Sequence, residues 1–149
     1  MLFLIYINDL VTDIDSSVKL FADDAKLYCE VKGPADAEIL QSDLSKLENW
    51  SRKWLLKFNE TKCSVVHFGF NNPLHSYTLN DRNLSVSHEE KDLGVYVSDS
   101  FKFGNHIAKI AAKANSILGC VKRTFTYMDV DMFKMVYKSL VRPHLEYAC

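Results

Sequence analysis

The 149-residue sequence predicts an α+β chain, with hairpins and one long helix in its first hundred residues and helices in the rest. Three observations carry this. Residues between Val18 and Val31 alternate in polarity with period two. The apolar positions between Ile39 and Phe58 recur every three or four residues. Beyond Gly104 the helical period runs on with no strand signal to interrupt it.

Taken in order, the apolar opening Met1 to Ile7 is cut off by Asn8-Asp9, well short of the roughly 20 apolar residues a membrane span needs, and reads as a buried segment. It starts in mid-run with no cap before it, which fits a piece of something longer. Val18, Leu20 and Ala22 alternate with Lys19, Phe21 and Asp23, and Leu27, Cys29 and Val31 with Lys26, Tyr28 and Glu30, which predicts a hairpin with Asp23-Asp24 at its tip. Pro34 suits a first helical turn, Ile39, Leu40, Leu44, Leu47, Trp50, Trp54 and Phe58 give a long amphipathic helix, and Asn59 suits a left-handed stop. Both tryptophans read as core, because aromatic positions at helical spacing are more often packing than base stacking.

Short strands are expected at Cys63 to Phe70, Ser76 to Leu79, Leu84 to Ser87 and Leu93 to Val97. Ile107, Ile110, Ala111, Ala114, Ile117, Leu118 and Val121 then mark a second helix. Met132, Phe133, Val136, Tyr137 and Leu140 mark a third that should stop before Pro143.

Composition is that of one ordinary soluble domain, 48% hydrophobic and 25% charged with a net charge of -1, and argues against disorder, collagen-like repeats and charged tails. Cys29, Cys63, Cys120 and Cys149 lack the paired spacing of a zinc site and the density of a secreted disulfide scaffold, so reduced thiols inside a cell are expected. The five histidines show no spacing that couples them to a nucleophile or a metal.

Charge is uneven along the chain. Met1 to Glu60 carries seven Lys/Arg against eleven Asp/Glu, while Phe101 to Cys149 carries eight against three. An acidic front that binds cations and a basic back that meets a polyanion would produce this asymmetry, and so would solvated faces of different sign. On the basic side, Lys109 and Lys113, and then Lys134, Lys138 and Arg142, repeat every four positions and so should line one face of each helix.

The sharpest local feature is Asp23-Asp24. Turn chemistry alone prefers glycine at a tight hairpin tip, whereas two carboxylates there can approach one hard cation such as Mg²⁺, which takes one or two carboxylates plus phosphate oxygens. Phosphoryl transfer is the natural use of such a site; a plain solvated turn is the other reading.

Several spaced segments resemble the reverse transcriptases of non-LTR retrotransposons of the jockey and CR1-like kind. They are Leu2 to Leu10; Leu20-Phe21-Ala22-Asp23-Asp24-Ala25-Lys26-Leu27-Tyr28; Trp50 and Trp54 followed by Lys57 to Cys63; Lys91-Asp92-Leu93-Gly94-Val95; Phe103 to Ile107; Lys113-Ala114; and Tyr137 to Pro143 leading to Leu145-Glu146-Tyr147-Ala148. They occur in the family's order through nearly the whole chain.

The resemblance implies part of a right-hand polymerase: a partial palm over residues 1–100, built of hairpins and the long helix, and a helical thumb over residues 101–149. It implies Asp23 as a ligand of catalytic Mg²⁺ and Asp24 as the supporting carboxylate. Lys62 falls where the family has a lysine acting on pyrophosphate, with an exposed lysine after a helix as the plain alternative. Lys91 to Val95 would be a hairpin near the primer end. Lys109, Lys113, Lys134, Lys138 and Arg142 would contact phosphates, unless they are merely a solvated face.

Expected partners are an RNA template, a DNA primer, deoxynucleoside triphosphates and the N-terminal part of the same polyprotein, with no membrane. The family's other metal-binding aspartate, its Pro-Gln-Gly segment and its fingers would precede Met1. The chain is therefore expected to be an RNA-directed DNA polymerase fragment inactive by itself, or an inactive remnant that binds nucleic acid without sequence preference.

Overall fold

The computed structural model describes residues 2–147, so Met1, Ala148 and Cys149 lie outside the described residues. The chain forms two compact units that divide between Ser87 and His88.

The first unit is organised around one long helix. A short helix α1 (Leu2–Tyr6) and a 3₁₀ turn (Asn8–Val11) precede an antiparallel hairpin of β1 (Ser17–Phe21) and β2 (Asp24–Tyr28). Helix α2 spans Pro34–Trp54. After a 3₁₀ turn at Glu60–Lys62, β3 (Ser64–Val65) pairs in parallel with β6 (Ser85–Val86), while β4 (Thr78–Leu79) and β5 (Arg82–Asn83) form a small antiparallel hairpin. Asn80 and Asp81 both have positive φ, +50° and +60°, the backbone of a tight primed turn. The strand expected over Cys63 to Phe70 is thus only two residues long, and the one expected over Leu84 to Ser87 is divided: the Leu84 amide donates across the Asn80-Asp81 turn to the Tyr77 carbonyl at 2.8 Å, while Ser85–Val86 pairs with β3.

Three further sequence expectations change in this unit. The opening segment is largely exposed where its side chains are described: Phe3, Leu4, Ile5 and Tyr6 are exposed, and among those described from Phe3 to Val11 only Ile7 and Leu10 reach the core. Successive side chains on so short a helix point about 100° apart, so one neighbour cannot cover them all. Helix α2 stops before Asn59. Leu55 turns left-handed at φ +58°, the Leu56 amide donates back to the Ser51 carbonyl, and the buried Ser51 hydroxyl donates to the Leu56 carbonyl at 2.7 Å. Trp50 and Trp54 are a rim cluster rather than core: both meet the Tyr6 ring edge-on, the Tyr6 hydroxyl donates to the Trp54 carbonyl, and Trp54 itself is exposed.

The second unit begins with an antiparallel hairpin, β7 (Glu89–Asp92) and β8 (Val95–Ser98), whose Leu93-Gly94 turn has φ of +46° and +91°. It continues into helix α3 (Gly104–Thr124), helix α4 (Val130–Val136, with the Asp129 carboxylate accepting from the Met132 amide), a π-helical turn (Tyr137–Val141) and helix α5 (Arg142–Leu145). The hairpin of residues 89–98 therefore belongs to the same compact unit as the helices.

Pro143 does not end the helical run, contrary to expectation. The π turn lets the Arg142 amide bond to the Tyr137 carbonyl five residues back. Pro143 then falls in the first turn of α5, where a missing N–H costs nothing. The wider turn fully buries Val141 and breaks the four-residue register that would have aligned Lys134, Lys138 and Arg142.

Among the described residues, no helix is long and apolar enough to cross a membrane. The accessible surface is 10994 Å². Two separate globules of these sizes would expose about 9,300 Å² by the usual scaling, so the core is small for the chain.

Candidate functional site

The β1–β2 pairing sets Phe21 opposite Asp24, which makes Ala22 and Asp23 the two turn residues and Asp24 the first ladder residue. The tip is thus one residue earlier than the alternation suggested. Asp23 and Asp24 are both exposed, and neither has a side-chain partner among the described residues.

Ala22 has φ of +52°, a left-handed conformation at the first turn position, where such hairpins favour glycine. Ala22→Gly is expected to raise stability by about 0.5–1 kcal/mol, the relief of left-handed strain less the extra entropy of an unfolded glycine. The check is the urea midpoint at unchanged m-value; a midpoint that stays put or drops rules the strain out.

The fit to Mg²⁺ follows from the donor set. Two adjacent carboxylates supply the oxygen ligands this ion prefers, and no group of three or more His, Cys, Asp or Glu side chains that could hold a metal occurs among the described residues. Mg²⁺ typically takes one or two carboxylates from a protein and completes its shell with water and phosphate oxygens. Lys62 is exposed on its 3₁₀ turn and pairs with neither aspartate. That turn is held from the side: the Asn80 side-chain amide donates to Glu60 at 2.6 Å, and this bond holds the Glu60 carboxyl below its ordinary range.

The root of the hairpin rests on a residue that the sequence did not single out. Asp43, fully buried on α2, accepts from the amides of Asp15 at 3.2 Å and Ser16 at 2.7 Å and from Lys46 at 2.8 Å; Lys46 also reaches Asp15 at 2.6 Å. Burial alone would raise this carboxyl, but the hydrogen bonds, led by that from Lys46, outweigh it and bring the pKa down to about 2. One turn of helix before Leu47 and three residues before Lys46, Asp43 sits on the apolar stripe itself. Its place on that stripe was the only available signal.

The five basic residues divide into two groups. Lys109 donates to Glu89 at 2.6 Å and lies 3.5 Å from the centre of the Tyr96 ring, so it ties α3 to the β7–β8 hairpin. Lys134 pairs with Asp131 at 3.2 Å and Arg142 with Glu146 at 2.7 Å. Lys113 and Lys138 are exposed with no partner among the described residues, and so is Arg123. Arg123 was missed because it lies ten residues from Lys113; at 100° per residue it falls about 80° from it around the helix, within the same half-surface.

Among known proteins, the chain is 29% identical over 142 residues to the RNA-directed DNA polymerase from mobile element jockey of Drosophila funebris, an alignment covering 88% of this chain and 15% of that protein. The resemblance to non-LTR retrotransposon reverse transcriptases is borne out by this match. No family model and no solved structure matches the chain.

Proposed function

We propose that the chain is a palm-and-thumb fragment of an RNA-directed DNA polymerase, with residues 1–100 supplying part of the palm and residues 101–149 the thumb. The observation that carries the reading is the alignment with the jockey polymerase over 88% of the chain, together with an Asp23-Asp24 pair exposed at a hairpin tip.

In this reading Asp23 holds Mg²⁺ and Asp24 supports it. When bound, the metal supplies activation of a primer 3′-hydroxyl and neutralises charge on the departing pyrophosphate of a deoxynucleoside triphosphate. The hairpin presents both carboxylates to solvent with no cation paired to either among the described residues. Lys62 offers a point charge for pyrophosphate, Lys91 to Val95 lies by the primer end, and Lys113 and Lys138, left without partners, contact phosphates of the RNA template and DNA primer. The resemblance implies that such a site is completed by a further aspartate and by nucleotide-binding fingers, so in this reading residues 1–149 do not extend a primer by themselves.

A second reading, an inactive remnant that binds nucleic acid without sequence preference, draws on the same unpaired Lys113 and Lys138 and needs no metal.

A primer annealed to an RNA template separates the two. The chain should bind it with an affinity that falls steeply with salt and should not extend it when Mg²⁺ and nucleotides are added. Mn²⁺ should broaden the amide resonances of residues 22–25, and Asp23→Asn should abolish that broadening while leaving duplex binding intact. Lys113→Ala and Lys138→Ala should each reduce the salt slope by about 1. Binding without any Mn²⁺ effect leaves the remnant reading alone standing, extension by the isolated chain overturns its inactivity, and salt-insensitive binding removes the phosphate contacts.

A further inference from the structure

We propose that Asp36 and Asp43 are a pair of positioning residues that fix the carboxylate-tipped hairpin on helix α2, an inference that rests on the polymerase reading only for what the tip binds. Asp43 accepts the two consecutive amides immediately before β1, those of Asp15 and Ser16. Asp36 accepts two consecutive amides in the capping box that opens α2, those of Lys32 at 2.8 Å and Gly33 at 3.1 Å, which the three residues Cys29 to Val31 link to the end of β2. The chain immediately before β1 and the far end of the short link that leaves β2 are thus each anchored to α2 by one kind of contact, a carboxylate set against successive N–H groups, which is a strong charge-assisted arrangement. The two aspartates are seven residues apart, two turns of helix, and so share one face of α2.

Two more observations join the roots. Lys46 bridges Asp43 to Asp15. The Cys29 thiol, the first residue past β2, is pushed up by burial and by the charges of Asp36 and Asp43, which places this strand's exit within electrostatic reach of both carboxylates.

The clamp matters because, among the described residues, the hairpin pairs only with itself. A lone two-stranded ribbon is marginal in water, and every residue from Phe21 to Ala25 is exposed, so no packing at the tip sets its direction. The direction in which Asp23 and Asp24 are presented is therefore decided at the roots.

Residual dipolar couplings of the ¹⁵N-labelled full chain test this. In the parent, amides of residues 17–28 and 35–53 should fit one alignment tensor. In the Asp36→Asn/Asp43→Asn double variant, the hairpin couplings should shrink by about half while those of α2 persist. Hairpin couplings that stay on the α2 tensor overturn the inference. If the double variant loses amide dispersion throughout, Asp36→Asn alone, a partly exposed site, carries the same comparison. Mn²⁺ broadening at residues 22–25 gives a readout that stability alone would not move: Asp36→Asn should require about threefold more Mn²⁺ than the parent. An equal requirement counts against the clamp as a positioning device. No broadening in the parent sinks the metal reading of the tip, and the dipolar couplings then decide the clamp by themselves.

Discussion

Asp43→Ala should cost about 3 kcal/mol of unfolding free energy, a large share of what a domain of this size commands. The substitution strips the acceptor from the Asp15 and Ser16 amides, both partly buried, and leaves Lys46 with only exposed Asp15. The parent should show a matching acid transition. A carboxyl held at about 2 in the fold, against an ordinary 3.8, binds fewer protons folded than unfolded. Its stabilisation is thus complete above pH 4 and is lost as pH falls toward 2, an effect on the order of 2 kcal/mol. Glu60 and Glu89 are lowered too, by hydrogen bonds from Asn80 and Lys109, and act in the same direction. They remain in the variant, so the measurement is the difference between parent and Asp43→Ala in urea midpoint from pH 5 to pH 2. That difference should narrow as pH falls; a constant gap would mean that Asp43 is not held as a carboxylate.

The same residue shows where the sequence stops being readable. Local periodicity located the first hairpin, the long helix and the start of the helix at Gly104, because period two and period 3.6 are imposed by the backbone itself. It misplaced the hairpin turn by one residue, since only the pairing of Phe21 with Asp24 shows that Ala22 takes the left-handed position. Asp43 looked like any polar residue interrupting an apolar stripe; its partners are the amides of residues 15 and 16, nearly thirty positions away.

Lys109 and Lys113 were indistinguishable by spacing. One is absorbed by Glu89 and the Tyr96 ring and the other is left to solvent, because the hairpin of residues 89–98 happens to reach only the first. Apolar periodicity also could not say which face is covered: Ile107, on the stripe that holds Ala114 and Val121, is exposed while both of those are buried. Burial is settled by what packs opposite, and that information is not local.

Two separated motifs of the resemblance, Lys91 to Val95 and Leu145 to Ala148, meet in the second unit as far as Tyr147, the last residue described. The Tyr147 hydroxyl donates to the Leu93 carbonyl at 2.7 Å, and its ring covers Gly94 so closely that a Cβ there would lie 2.8 Å from Cε1. Gly94→Val should therefore cost about 2–3 kcal/mol, from a β-branched residue forced to φ +91° and from eviction of the ring. The two contributions separate in a double-mutant cycle. Tyr147→Ala alone should cost about 1 kcal/mol, the bond to Leu93 and part of the ring packing. In that background Gly94→Val should cost about 1 kcal/mol less than in the parent, because only the backbone strain is left. The exposed ring can swing into solvent, which caps the steric share and keeps the variant folded enough to measure. Equal costs in both backgrounds would show that the ring does not press on the turn. A reduced cost would establish that the glycine of the first motif is fixed by the tyrosine of the second, so that the two form one packing unit whatever the chain binds.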